Sequence, residues 1–150
     1  MATYNNDGGT TGHASAMAKR AYLYSEIVDF SSTTNATSDI FQVLNIPVGS
    51  EILNAGIDVL TADTAGNSGT LALDDSVNSV TYVTAATIAS TGQMTHGDAL
   101  GEMFISYATA DTLDVAIGTG SVNAVVRVWA YILDLTEANT STQKLTFTAA

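Results

Sequence analysis

The chain contains no cysteine in its 150 residues. Disulfides and thiolate metal sites are therefore excluded, and packing or assembly must supply the stability. Lysine and arginine are scarce: four in all against 15 acids, for a formal net charge of −11. Long helices draw on Glu, Lys and Arg for their solvent face, so this scarcity argues against a helical domain. The 22 threonines favour strands. No basic footprint exists to displace counterions from phosphate backbones, which excludes nucleic acid as an expected partner. The same charge repels anionic membranes and favours solubility, and no apolar run approaches the roughly 18 residues that would span a bilayer. The first residues, Met1 to Gly9, lack the charged and apolar regions of a signal peptide, so no secretion signal is expected and the sequons at Asn35 and Asn139 read as chance.

What remains is a chain patterned for one domain, long enough to bury a sizeable core. Residues 1–18 are small and polar, with Gly8, Gly9 and Gly12, and Lys19 and Arg20 follow them. Residues 1–20 carry Asp7 against Lys19 and Arg20, whereas residues 21–150 carry 14 acids against Arg127 and Lys144. An extended N-terminal arm (1–20) followed by a single sandwich domain (21–150) is expected. Strand signals recur at 21–30, 40–46, 51–62, 70–74, 80–88, 102–108, 112–118 and 122–135, with turn-rich pieces between them. The middle is weakest: 80–88 also reads as irregular, and 94–100, inside the turn-rich piece from Ser90 to Gly101, reads as a short helical turn. The fold class is all-β: an antiparallel β-sandwich, jelly-roll or related Greek-key.

Residues 39–63 hold two strand-like runs joined by the only proline, Pro47. Pro47 fixes φ and removes a donor, and Gly49 suits the fourth place of a tight turn, so a hairpin or a sheet-to-sheet corner is expected. Gly56 marks a bulge or a close packing point. The run from Val122 to Leu135 is apolar on both sides. Val122, Ala124, Val126, Val128, Ala130 and Ile132 make one face; Val125, Arg127, Trp129, Tyr131, Leu133 and Leu135 make the other. Such a strand is either central, with Arg127 paired to an acid, or covered by a partner on one face. Trp, Tyr and Arg are enriched at interface centres, making Arg127, Trp129, Tyr131 and Leu133 candidate subunit-interface residues.

Signals for chemistry are sparse. His13 lies in the arm and His96 in a polar loop, neither with a zinc-ligand spacing beside it. No G-x-S-x-G nucleophile elbow occurs. The adjacent Asp74 and Asp75 point to opposite faces of a strand and cannot form a glycosidase pair. The Asp63 loop lacks the distal Glu of a calcium-binding hand. No catalytic residue, metal site or cofactor is assigned, and no enzymatic activity is expected.

Asp39-x-Phe41-x-Val43-Leu44-x-Ile46-Pro47-x-Gly49, then Ile52 to Ala62, resembles the small β-sandwich decoration (cement) proteins on capsids of tailed phages, notably marine and cyanobacterial ones. Ala110 to Ile117 is similar to a second stretch of such proteins. The resemblance implies a virion protein on the outer capsid surface, synthesised in the host cytoplasm, partnered by the major capsid protein and by itself, most simply as a homotrimer. The arm and its root, with Tyr4, His13, Lys19, Arg20, Tyr22 and Tyr24, would contact the capsid. A carbohydrate-binding or host-attachment sandwich on a phage head or tail fibre is the alternative.

Overall fold

A computed structural model describes residues 21–65, 69–97 and 103–135. The expected arm, residues 1–20, and the last part of the expected domain, residues 136–150, lie outside the described residues. Nine strands lie among the described residues: β1 (Ala21–Asp29), β2 (Ile40–Ile46), β3 (Ser50–Thr61), β4 (Thr70–Asp75), β5 (Thr81–Thr87), β6 (Met94–His96), β7 (Ile105–Tyr107), β8 (Asp111–Ile117) and β9 (Val125–Asp134). One 3-10 turn, Phe30–Ser32, follows β1, and its start is capped by the Asp29 carboxylate accepting from the Ser31 amide.

Strand pairing is nested. β1 pairs with β9, β2 with β8, β3 with β6 and β7, and β4 with β5, all antiparallel. A long hairpin wound on itself gives this pattern, with β6 and β7 together filling one strand position, and the result is a jelly roll. One sheet has five strands in the order β1-β9-β3-β6, with β7 also on β3; the other has four, β2-β8-β4-β5. The region of Val80 to Ile88 holds β5, a strand whose ladder with β4 shifts register twice, so strand and irregularity are both present. At 94–96 the expected helical turn is instead β6, because Thr95 pairs with Ile57 and tertiary pairing outweighs a weak local preference.

Pro47 marks a corner: β2 belongs to the four-stranded sheet and β3 to the five-stranded one. The Ser50 amide donates to the Pro47 carbonyl at 3.3 Å, closing a turn over Val48 and Gly49. Gly49, at φ 76°, therefore occupies the third place rather than the fourth, the position that requires the left-handed region in a type II turn.

The core lies between the sheets. Val126, Val128, Ala130 and Ile132 of β9 point inward and are fully buried, with Leu113 and Val115 of β8 and Leu71 and Leu73 of β4 opposing them. Phe30 and Phe41 meet edge to face, centroids 5.2 Å apart. Two buried polar devices tie loops to this core. The Asn35 side-chain amide donates to the carbonyls of Phe30, Thr33 and Val122, and its oxygen accepts from the Val122 amide at 2.7 Å. Asp75, also buried, accepts from the amides of Asn78 and Val80 and from the Tyr107 hydroxyl, which meets the Tyr82 hydroxyl at 2.9 Å. Burial pushes both phenols up from their ordinary values; the bond to Asp75 adds to the effect at Tyr107.

Candidate interaction face

Residues directly opposite in an antiparallel ladder share a face, so the strand register assigns the outer surface of the five-stranded sheet row by row. Ser25, Trp129, Gly56 and His96 form one row, and Ile27, Arg127, Asp58 and Met94 the next. Leu23, Tyr131 and Asn54 form a third, while Ala21, Leu133 and Glu51 lie toward the sheet end. Leu23, Ile27, Met94 and Tyr131 are 61%, 60%, 60% and 43% exposed. Aliphatic and aromatic side chains therefore cover much of a surface that faces water in the isolated subunit.

The face is held in place by its polar members. Asp58 on β3 accepts from the Trp129 indole nitrogen at 3.0 Å and sits 3.8 Å from the Arg127 guanidinium. The arginine is largely exposed, so this ion pair positions the side chain more than it stabilises the fold. The indole lies over Gly56: a Cβ built there would stand 2.7 Å from the Trp129 Cζ2 and 2.6 Å from the Thr95 carbonyl oxygen. Gly56 is thus the close packing point, while the irregularities of β3 fall at Ile52/Asn54 and Val59/Thr61. The outer surface of the four-stranded sheet differs. Apart from the exposed Ile40, it presents small and polar groups such as Gln42, Asn45, Asp74, Thr112 and Asp114.

β9 is central, between β1 and β3, with Arg127 paired to Asp58 as a central strand was expected to have it. The structure gathers Arg127, Trp129, Tyr131 and Leu133 on the outer face. Tyr22 and Tyr24 oppose Ile132 and Ala130, on the opposite side of the same sheet. Tyr24 packs against the core, while Tyr22 is half-exposed; partial burial, the nearby Asp134 and Tyr24 raise its pKa. Tyr4, His13, Lys19 and Arg20 lie outside the described residues. His96 is in β6 rather than a loop, its Nδ1 2.9 Å from the Gly97 carbonyl oxygen. Among the described residues no group of His, Cys, Asp and Glu could hold a metal ion. Sequence reasoning missed Leu23, Ile27, Met94 and Asp58 as members of the face. The alternation of Leu23, Ser25 and Ile27 with the two tyrosines was visible, but only the register says which set points outward.

The fold and face together define a jelly-roll domain with one apolar outer sheet surface. No known protein-family profile matches the chain, and no curated protein does. Similar folds occur in three solved phage capsids. A chain of the cyanophage Pam1 capsid asymmetric unit is 23% identical with a TM-score of 0.62, covering 89% of this chain and 91% of that one. A chain of the Ralstonia phage GP4 capsid is 13% identical with a TM-score of 0.59, covering 91% and 92%. One from the Helicobacter pylori bacteriophage KHP30 capsid is 12% identical with a TM-score of 0.51, covering 74% and 86%. At these identities the likeness is one of fold.

Proposed function

We propose that this chain is a structural protein of a phage virion that binds the outside of the capsid and stabilises it, with no catalysis. The observation that carries the reading is the apolar outer face of the five-stranded sheet, built around Trp129, Tyr131, Leu23 and Ile27, on a domain whose other outer surface is mostly polar. The fold likeness to chains of three phage capsids supports a virion setting. The sequence resemblance supports the decorating role. The arm, with Lys19 and Arg20 preceding Tyr22, lies across the major capsid protein, and the apolar face meets further copies of the chain or the shell. Many weak contacts repeated over a symmetric shell act together and resist the outward pressure of packed DNA. Deleting residues 2–18 is expected to lower occupancy on purified capsids. Unchanged occupancy would remove the arm from the mechanism.

One observation favours a second reading. Trp129 and Tyr131 present partly exposed rings beside Asp58 and Arg127, a combination that also suits a sugar ring, as in a carbohydrate-binding or host-attachment module. A glycan array without binding above background would dispose of it.

A further inference from the structure

Sheet edges expose unpaired backbone groups, and natural sandwiches blunt them with short strands, bulges, Lys or Pro. Three of the edge positions here are blunted. β6 and β7 are three residues each. The ladder of β2 shifts register between Gln42 and Leu44, and that of β5 shifts twice along β4. β1 is the exception. Its nine residues pair with β9 without a single shift, it contains no Lys, Arg or Pro, and no strand lies on its far side among the described residues.

Two hydrogen bonds fix which backbone groups face that open edge. The Leu135 amide donates to Gly49 across β3, and the Phe30 amide donates to Ala124 across β9. Hydrogen-bonding direction alternates along an antiparallel strand. The even residues of β1 therefore bond to β9, and the amides and carbonyls of Ala21, Leu23, Ser25, Ile27 and Asp29 point outward. The same odd residues carry their side chains on the apolar outer face.

We propose that two copies of this chain pair their β1 strands antiparallel about a two-fold axis at Ser25, joining two five-stranded sheets edge to edge. With Ser25 opposite itself, every outward-facing residue meets another outward-facing residue. Leu23 stands against the second copy's Ile27 and Ile27 against its Leu23, so four exposed aliphatic side chains cover one another. Glu26 meets Tyr24, and Asp29 meets Ala21, leaving no like charges directly opposite. This register overlaps all nine residues; centring the axis on Leu23 or Ile27 would leave five. The second copy is favoured as occupant because the strand is self-complementary in this way, which is what an isologous contact requires. A three-fold ring, the state the resemblance implies, would instead need a second edge to receive β1, and the other edges are broken. The pairing deepens the self-association in the proposed function without resting on attachment to a capsid.

The full chain has no cysteine, so an engineered one reports cleanly. Opposed residues in a hydrogen-bonded pair have Cα atoms about 5.5 Å apart, within disulfide reach. Ser25→Cys is expected to give a disulfide-linked dimer under mild oxidation. Ile27→Cys alone should not link, whereas an equimolar mixture of Leu23→Cys and Ile27→Cys chains should. By sedimentation velocity the unaltered chain is expected to be a dimer that tightens with added salt, since both partners are acidic. Leu23→Lys combined with Ile27→Lys, at exposed positions, should give a monomer with intact strand content. A monomeric unaltered chain, a trimer that survives the double lysine variant, or Ser25→Cys linking no faster than Ile27→Cys would overturn the proposal. All of this is read on the isolated protein, so its failure leaves the capsid reading standing, and failure of capsid binding leaves the pairing standing.

Discussion

A buried carboxylate is tolerated only when its oxygens are occupied, and Asp75 is satisfied by two loop amides and one phenol. Tyr107→Phe removes the donor to a charged acceptor and is expected to destabilise the domain by about 1.5–3 kcal/mol. Tyr82→Phe leaves that bond in place and should cost less. Because burial raises both phenols, the folded state resists their ionisation. The stability they contribute is complete below the ordinary tyrosine value near pH 10 and is lost as pH rises above it. Denaturant melts should therefore be flat in this respect up to about pH 10 and fall beyond it, with a shallower fall in Tyr107→Phe. Gly56 is constrained from outside instead. Gly56→Ala would drive a methyl to 2.6 Å from the Thr95 carbonyl oxygen. We expect a loss of about 1–3 kcal/mol from overpacking. The one tryptophan packs on this site, so its fluorescence should shift with the substitution.

At the level of strands, the ladders also contain a local conflict. Asp74 on β4 stands directly opposite Asp114 on β8, on the outer surface of the four-stranded sheet. Like charges so placed repel, and Asp114 is engaged by the Thr112 hydroxyl at 2.7 Å. Asp74→Asn is expected to stabilise the domain by about 0.2–1 kcal/mol at low salt. The gain should shrink as salt screens the pair, and thermal melts at two ionic strengths check both points. The two sheets divide the labour. The four-stranded one is polar outside, while the five-stranded one carries its aliphatic and aromatic groups on the surface and has the long unbroken edge of β1.

Across the whole molecule charge is the dominant feature. The described residues hold eleven carboxylates and the single cation Arg127, which is already paired with Asp58. Self-repulsion of this kind weakens a compact state and is screened by ions. The melting temperature at neutral pH should therefore rise with sodium chloride, and a flat or falling response would show that local pairs dominate. The sequence pI near 4.1 also places the solubility minimum in mildly acidic solution, where self-repulsion is weakest.

Period-two alternation, threonine enrichment and scarce basic residues were enough to establish strands and the all-β class, because each is a local property of the chain. The division of β9 into two apolar faces and the opposed directions of Asp74 and Asp75 were legible for the same reason. Pro47 and Gly49 announced a turn, but whether it closed a hairpin or changed sheets depended on what β2 and β3 pair with far along the chain. β6 was hidden because three residues carry no pattern of their own and become a strand only against β3. Asp75 as the hub of a buried network, Gly56 under Trp129, and Leu23 and Ile27 joining Tyr131 on one surface were all decided by tertiary structure. The physical reason is register: which side of a strand meets water is set by its partners across the sheet, not by its neighbours in sequence.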